Sequence, residues 1–312
     1  MDLTANVLLA GSAKPAMVSS ADECEAFARG AAEAVLINMG TLTSDAVAAM
    51  RLTMLAARES SAGGVRHVPV VLDPVACGAT PYRTAACVEA LKLRPLVVRG
   101  NAGEVLALAQ ASGCYKDEAA AAEGGGDASP LVRGVDSMIS GGDPRVERAA
   151  EAMADAYGCV VAVSGEVDFV VSPVLPPGTG SWPADQGRRP TIRVRNGVED
   201  LTRVTAAGCA MTALVAAYVA VHHTWDNNGP NERHMCVREV APAVAAAMCI
   251  FGVAAEIALE RARRKGPGSL RVGLVDELAL MTREELKARV RVEDPVAHAG
   301  SAVAGTRHTV ID

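Results

Sequence analysis

The sequence predicts an α/β fold built as a single domain, with a mostly parallel central sheet and helices on both faces. Short, continuously apolar runs recur along the first half of the chain, which is typical of strands buried on both faces. Longer segments with apolar residues at helical spacing alternate with these runs, as they do in βαβ units. Half of the 312 residues are hydrophobic, so the chain has enough apolar side chains for one large core.

Each element of the first half has a local signal. The spacing of Val47, Met50 and Met54 predicts a helix over residues 44–60, and the apolar run at 68–72 predicts a buried strand. In order, we expect helices at 4–11 and 23–32, a strand at 34–38, a helix at 44–60, a strand at 68–72, a helix at 84–91, a strand at 95–99 and a helix at 101–111.

The second half begins with another helix and strand. Val146, Ala149 and Met153 share one side of a helix predicted over 144–157, and a strand at 159–164 is expected to form a hairpin with 168–171. Two long Ala-rich helices follow at 208–221 and 242–262, and Lys-Gly-Pro-Gly-Ser at 265–269 ends the second. Gly- and Pro-rich stretches predict loop insertions near 114–143, 172–200 and 222–238.

The composition argues against nucleic-acid binding. The formal net charge is −6, no Lys/Arg-rich block occurs, and aromatic residues make up only 3% of the chain. Binding to nucleic acid needs a basic face and rings on which bases stack. A mildly acidic chain of this kind fits a metabolic protein with small-molecule partners.

Cysteine usage and the apolar segments predict a cytoplasmic location without a membrane anchor. The eight cysteines are scattered and form no Cys-x-x-Cys pair, which is typical of reduced thiols. The N-terminus lacks a signal pattern. No Asp, Glu, Lys or Arg lies between Arg203 and Asp226, a stretch long enough to span a bilayer. Because Ala, Gly and Thr dominate it, we expect a buried helix of a core instead.

Residues 204–209, Val-Thr-Ala-Ala-Gly-Cys, lead directly into the uncharged helix predicted at 208–221. The free N–H groups of a helix start bind anions, and small residues leave room for a phosphate. A thiol in the positive end of the helix dipole can be partly ionised, so Cys209 could take a proton from an attacking hydroxyl. The alternative is an inert core cysteine after a small-residue entry.

Polar residues or glycines follow four predicted strands, at Asn38, Asp73, Arg99 and Ser164. In open parallel sheets, ligands bind beyond the carboxyl ends of the strands. Taken singly, each could belong to a plain turn, and Asn-Ala-Gly-Glu at 101–104 could be a helix cap with Glu104 in a capping box. Together, two carboxylates and an arginine around a glycine-lined cleft suit Mg²⁺ and a polyphosphate.

These segments resemble hydroxyethylthiazole kinase, a thiamine-salvage family of the ribokinase-like fold. The resemblance covers nearly the whole chain in family order. Its strings are Ala-Asn-Val-Leu-Leu-Ala at 5–10, Lys-Pro-Ala-Met at 14–17, Asn-Met-Gly-Thr-Leu at 38–42, Asp-Pro-Val at 73–75, Gly-Ala-Thr-Pro-Tyr-Arg at 78–83, Arg-Gly-Asn-Ala-Gly-Glu at 99–104, Gly-Val-Asp-Ser at 134–137, Ser-Gly-Glu-Val-Asp at 164–168, residues 204–209 and residues 265–269.

The resemblance implies phosphorylation of 5-(2-hydroxyethyl)-4-methylthiazole by ATP with Mg²⁺, in a homotrimer with active sites between subunits. It implies a catalytic role for Cys209, where related sugar kinases place an Asp base. The other implied roles are substrate binding by Met17, Gly40, Thr41 and Ala206, ATP binding by Arg99, Ser164, Ala207 and Gly208, and Mg²⁺ binding by Asp73 and by Glu104, the latter through water.

The chain departs from the family pattern at two glycines and at its start. Ala206 and Ala76 stand where the family usually has Gly, and the added methyl group is expected to crowd the substrate or disfavour a positive φ. The family's first strand and Asn-containing substrate loop would precede Thr4. The alternatives are therefore a same-fold kinase for a pyrimidine alcohol or a sugar, and a non-catalytic or impaired trimeric paralogue. A hydrolase with a Cys nucleophile lacks a His partner near a strand end.

Overall fold

The computed structural model describes residues 2–58, 68–116, 142–174, 191–222, 232–264 and 266–293. The helices are α1 (Asp2–Ala10), α2 (Cys24–Gly30), α3 (Ser44–Arg58), α4 (Pro81–Lys92), α5 (Ala102–Ala111), α6 (Pro144–Tyr157), α7 (Ala207–His222), α8 (Glu232–Arg261), α9 (Pro267–Leu280) and α10 (Arg283–Arg289), with a 3₁₀ turn at Glu199–Arg203. The strands are β1 (Val35–Asn38), β2 (Val70–Asp73), β3 (Val97–Asn101), β4 (Val160–Ser164), β5 (Asp168–Val171), β6 (Thr191–Val194) and β7 (Val292–Glu293).

Within the described residues, the seven strands form one sheet in the order β1-β2-β3-β4-β5-β6-β7. Strands β1 to β4 pair in parallel, as βαβ units require. Strands β4 to β7 pair antiparallel. The predicted parallel sheet is therefore confirmed for the first four strands, and the hairpin partner predicted at 168–171 is β5.

Both faces of the sheet are covered, as the apolar runs predict. Val71 and Val97 belong to one core, which lies against α1, α7, α8 and α9. Leu72 and Val98, the next residues along the same strands, belong to a second core against α3 to α6. Because successive strand residues point to opposite faces, a strand buried on both sides has no polar alternation.

The structure corrects several predicted boundaries. Helix α4 begins at Pro81, because Thr80 caps it by accepting from the Arg83 N–H. Helix α8 begins at Glu232, inside the loop predicted over 222–238, and carries Pro242 in its interior. The Gly-Pro pair predicted to stop a helix also starts the next one, since Gly266 precedes α9 and Pro267 is its first residue. Strand β6 lies inside the loop predicted over 172–200. Residues 117–141, 175–190 and 223–231 of the loops predicted over 114–143, 172–200 and 222–238 lie outside the described residues.

The longest helix of the described residues is a core helix. The segment Val240–Arg261 is long and apolar enough to cross a membrane, with a mean hydropathy of 2.0, but 78% of it is buried inside the protein. It contacts α7, α9 and the sheet. The cysteines whose side chains the structure describes are all free, in keeping with the predicted reduced thiols.

Candidate active site

The polar residues predicted at the strand ends lie on one face of the sheet, beneath the start of α7. Asp73, Arg99 and Ser164 each come two residues after a strand residue that packs in the core on the α7 side. Those strand residues are Val71, Val97 and Ala162. The two-residue period of the strands therefore aims all three polar side chains toward α7.

Asp73 is the buried carboxylate of this cluster, with 2% of its surface exposed. Its Oδ2 atom accepts from the Thr212 hydroxyl at 2.8 Å and from the Asn38 amide at 3.1 Å. Burial raises the pKa of Asp73 to about 6, although Arg99 and these hydrogen bonds act in the opposite direction. Among the described residues, all hydrogen bonds to this carboxylate reach Oδ2, so Oδ1 is available to a ligand.

Arg99 is a buried cation with an unused donor. It is 5% exposed, and its Nη1 atom lies 3.5 Å from the Thr212 hydroxyl. Its Nε atom is buried without a hydrogen-bond partner among the residues that the structure describes. A buried guanidinium with an unsatisfied N–H is costly unless an anion binds it. The side chain thus fits a phosphate group.

Gly208 lets Arg99 pass over the first turn of α7. A Cβ atom at this position would lie 3.0 Å from Arg99 Nη1. Any other residue at 208 would therefore force the guanidinium to shift by a few tenths of an ångström. The sequence shows only that a small residue stands at a helix start, whereas the structure shows that Gly208 leaves room for Arg99.

We predict that Gly208→Ala raises the KM for ATP about 10- to 100-fold, because small displacements in such sites are costly. Ala favours a helix more than Gly does, so thermal stability should not fall. The matched control is Gly103→Ala near the start of α5, where a Cβ would make only an ordinary 3.5 Å contact with Asn101. Steady-state kinetics of both variants test this. Equal ATP kinetics in the two would show that the space at Gly208 does not matter.

Fewer N–H groups are available in the first turn of α7 than the predicted anion site included. The Ala207 N–H already donates to the Val204 carbonyl at 3.1 Å, so it is not available to a ligand in this arrangement. Gly208 and Cys209 are the second and third helical residues, whose N–H groups have no partner inside the helix. These two N–H groups remain as donors, next to Arg99.

Ala206, which precedes α7, adopts φ 66°, and Ala76 in the loop after β2 adopts φ 58°. The left-handed backbone is therefore present at both positions even though each carries a methyl group. This conformation costs a residue with a Cβ about 1–2 kcal/mol. Because the family usually has Gly at these two positions, the alanines of this chain introduce backbone strain there.

We predict that Ala206→Gly raises the free energy of unfolding by about 1 kcal/mol, because Gly adopts positive φ without strain. The control is Ala48→Gly on the exposed side of α3, where Gly should lower stability by about 1 kcal/mol. Urea denaturation measures both. A loss of stability at position 206 like that at position 48 would contradict the assigned backbone.

Cys209 is half-buried at the start of α7, and its thiol is neutral. Burial raises the pKa of this thiol above its ordinary value, and the Asp73 carboxylate raises it further. The Asn38 amide and Arg99 lower it by less. The sequence hypothesis of a partly ionised thiol is therefore not supported, because lost hydration and a neighbouring carboxylate dominate. The raised pKa argues against removal of a proton by Cys209.

Glu104 is a capping residue, as the alternative interpretation of the sequence proposed. Its Oε2 atom accepts from the Asn101 N–H at 2.9 Å, and the Asn101 side chain accepts from the Glu104 N–H in return. Its Oε1 atom accepts from the Ala76 N–H at 2.8 Å. Both carboxylate oxygens thus tie the loop after β2 to the start of α5. This arrangement suits contact with a cation through water.

Asp168 closes the turn that follows Ser164. It is 7% exposed and accepts from the Gly165 N–H at 2.9 Å. Burial raises the pKa of Asp168 to about 6, opposed by the Gly165 bond and by the charge of Arg99. Ser164 lies opposite Asn101 in the parallel register of β3 and β4, so its hydroxyl is at the same edge of the sheet as Arg99.

Arg83 joins the loops after β1 and β2. It donates to the carbonyls of Gly40 and Val75, each at 3.0 Å, and also to the Met39 carbonyl. The Gly40 N–H in turn donates to the Asn38 side chain at 2.9 Å. Gly40 is therefore connected to Asp73 through Asn38.

The other residues assigned to the thiazole are less closely tied to the cluster. Thr41 is exposed, and Met17 is 44% exposed in the segment between α1 and α2. Their roles in substrate binding stay predictions. The sequence reasoning missed Thr212 and Arg83 as site residues, and it gave no specific role to Asn38. A polar residue inside an uncharged helix was the available signal for Thr212, and Asn38 stood at a strand end.

The donor set fits Mg²⁺ that arrives with a nucleotide. Among the described residues, no group of three or more His, Cys, Asp or Glu side chains could hold a metal ion by itself. Mg²⁺ typically keeps several waters and uses one or two carboxylates together with substrate phosphates. Asp73 with its available Oδ1, and Glu104 through water, match that description.

The fold and the site together define an α/β protein whose strand ends carry groups suited to a phosphate-bearing ligand. The profile of the hydroxyethylthiazole kinase family matches residues 1–284, and the chain belongs to this family. The hydroxyethylthiazole kinase of Zea mays is 40% identical over 292 residues, which cover 94% of this chain and 84% of the maize protein. That of Granulibacter bethesdensis is 39% identical over 290 residues, covering 92% of this chain and 84% of its own length.

A solved structure agrees with these relatives. The hydroxyethylthiazole kinase protein from Pyrococcus horikoshii OT3 is similar to this chain with a TM-score of 0.67 and 32% identity. The match covers 94% of this chain and 89% of the archaeal one. The ribokinase-like fold implied by the sequence is therefore confirmed.

Proposed function

We propose that this protein transfers the terminal phosphoryl group of ATP to the hydroxyl of 5-(2-hydroxyethyl)-4-methylthiazole. Membership of the hydroxyethylthiazole kinase family supports the reaction. The observation that carries the site assignment is the meeting of buried Asp73, buried Arg99 and the start of α7. Phosphoryl transfer depends on positioning and charge neutralisation, and these groups supply both.

The terminal phosphoryl group of ATP lies at the start of α7 in this proposal. The N–H groups of Gly208 and Cys209 donate to its oxygens, and Arg99 uses the Nε donor that is otherwise unpaired. Ser164 holds a neighbouring phosphate from the end of β4. Mg²⁺ held by Asp73, and by Glu104 through water, neutralises charge on the phosphates when it is bound.

The substrate hydroxyl lies between Cys209 and the phosphoryl group. The neutral thiol accepts or donates one hydrogen bond and thereby orients the hydroxyl for attack. In a loose transition state little proton removal precedes formation of the O–P bond, so the hydroxyl proton leaves late and passes to an oxygen of the transferred phosphoryl group. The thiol, whose pKa is raised, therefore does not have to accept it. Gly40, Thr41, Met17 and Ala206 form the thiazole pocket in this proposal.

Cys209→Ala is expected to lower kcat about 10- to 100-fold, since an orienting contact is lost, while the KM for ATP changes little. Cys209→Asp is the informative companion, because sugar kinases of related fold use Asp there. The matched control is Cys249→Ala, which removes a buried thiol of α8 that donates to Asn196. Stopped-time assays of product give kcat. Full turnover in Cys209→Ala would end the role given to the thiol.

The working assembly in this proposal is a single-domain cytoplasmic enzyme that forms a homotrimer with active sites between subunits. Exposed apolar side chains support a partner surface, since Met17 is 44% and Tyr82 52% exposed. Sedimentation equilibrium measures the assembly directly. A monomer that turns over at full rate would contradict shared active sites.

The proposed reaction is tested with purified protein, ATP, MgCl₂ and the thiazole alcohol, following ADP release and the phosphate ester by ³¹P NMR. We expect one ester per ADP, with a higher kcat/KM than for ribose or hydroxymethylpyrimidine. Preference for either of those alcohols would favour a same-fold kinase of other specificity. Nucleotide binding without any ester would favour the impaired paralogue.

A further inference from the structure

Thr212 stands out as a completely buried hydroxyl within the apolar part of α7. It lies one turn after Gly208 and has three polar neighbours. The Asp73 Oδ2 atom is 2.8 Å away, the Gly208 carbonyl 3.0 Å and Arg99 Nη1 3.5 Å. Its hydroxyl thus contacts the Asp73 carboxylate, the Arg99 guanidinium and the first turn of α7 at the same time.

The hydroxyl has one proton and two candidate acceptors. The carboxylate is the nearer and the charged acceptor, so the proton goes to Asp73 and the hydroxyl oxygen faces Arg99. Because the Asn38 amide also donates to Oδ2, this oxygen accepts two hydrogen bonds, one for each lone pair. The remaining oxygen, Oδ1, is thereby held in a fixed direction.

The plain alternative is a helical threonine that only bonds to the carbonyl four residues earlier. Thr53 in α3 is such a residue, because its hydroxyl donates to the Ala49 carbonyl at 2.8 Å. Within the part of the chain that the structure describes, the Thr53 hydroxyl has no other hydrogen-bond partner. Its helix packs on the opposite face of the sheet. It provides a matched reference for the hydroxyl of Thr212.

We infer that Thr212 is a positioning residue for phosphoryl transfer, which holds Asp73 and Arg99 in register with the first turn of α7. The inference rests on the proposed function, because it assigns Asp73 to the nucleotide-bound cation and Arg99 to the phosphate. A hydroxyl that holds Asp73 and Arg99 in place keeps both charges oriented toward the ligand before the ligand binds. The thiazole pocket is not involved.

The test compares Thr212→Val, which keeps the shape but removes the hydroxyl, with Thr212→Ser and Thr53→Val. Calorimetric titration with ADP, with and without MgCl₂, is the readout independent of turnover. We expect Thr212→Val to reduce the gain in ADP affinity caused by Mg²⁺ about tenfold and kcat about 10- to 100-fold, since bonds to charged groups are strong. The KM for the thiazole should change less than about twofold.

Thr212→Ser should restore both quantities to within about threefold, and Thr53→Val should match the wild type. If Thr212→Val does not fold, the Ser and Ala variants at 212 isolate the hydroxyl in the same way. The inference would be overturned if Thr212→Val and Thr53→Val had the same kcat and the same Mg²⁺-dependent gain in ADP affinity. It would also be overturned if Thr212→Ser lost as much of both quantities as Thr212→Val. A wild type that binds Mg²⁺-ADP without phosphorylating the thiazole contradicts the proposed function alone, while one that binds no nucleotide contradicts both.

Discussion

Replacing Asp73 with Asn should abolish most turnover and at the same time make the ligand-free protein more stable. Removing one preorganised charge of a phosphoryl-transfer site costs about 10²–10³ in kcat. Asn keeps the shape and one acceptor for the Thr212 and Asn38 donors, so the hydrogen bonds at Oδ2 can be retained. The loss of activity would then come from the missing charge.

The gain in stability follows from the raised pKa of Asp73. Its ordinary value is 3.8 and its folded value is about 6, so the folded state binds more protons than the unfolded state between these pH values. Stability of the wild type therefore falls as the pH rises through this window. At pH 7 the buried charge costs on the order of 3 kcal/mol, which Asn removes.

Thermal denaturation at pH 7 and pH 4.5 measures this, with ester formation as the activity readout. The variant should melt several degrees higher than the wild type at pH 7, and the difference should shrink at pH 4.5. Asp168→Asn is a comparison for the stability effect, because its pKa is also raised to about 6 by burial. If Asp73→Asn keeps more than a tenth of the turnover, Asp73 is not at the reacting phosphate.

Replacing Arg99 with Met should lower kcat/KM for ATP about 10²- to 10³-fold, because the phosphate loses its buried cation. Met fills the space of the arginine stem without a charge. Removal of the guanidinium ends the cost of its unpaired Nε, but it also removes the charge that lowers the pKa of Asp73 and Asp168. The ligand-free protein should remain folded, because these buried carboxyls can take up protons when the charge is lost. ATP should no longer raise the melting temperature of the variant.

The control is Arg193→Met in the same sheet. Arg193 lies in β6 and pairs with Glu147 at 2.7 Å, so its loss removes an ion pair rather than a ligand contact. Kinetics with varied ATP and melting curves with and without ATP separate the two variants. An Arg99→Met protein that ATP stabilises as strongly as the control would show that phosphate binds elsewhere.

Much of the fold could be predicted because its signals are local. The apolar runs at 68–72 and 95–99 identify strands buried on both faces, and the polar residues that follow them mark the ligand edge of a parallel sheet. Asp73, Arg99 and Ser164 meet at one edge for this reason. The short strands β6 and β7 carried too little pattern to be predicted. The helices α9 and α10 were missed although Pro267 and the capping box of Thr282 and Glu285 mark their starts.

The details of the site depend on distances through space, which no local pattern contains. The approach of Arg99 to Gly208 joins β3 to α7, and the Thr212 bond to Asp73 spans 139 positions of the chain. The pKa of Cys209 could not be predicted from the sequence for the same reason. A helix start favours ionisation, but burial and Asp73, which only the fold places beside the thiol, act against it.

The most direct measurement is a crystal structure with a non-hydrolysable ATP analogue, Mg²⁺ and the thiazole alcohol. We expect the terminal phosphate within hydrogen-bonding distance of the Gly208 and Cys209 N–H groups and of Arg99, with the substrate hydroxyl beside the Cys209 sulfur. A terminal phosphate bound away from the start of α7, with Arg99 Nε still unpaired, would contradict the account.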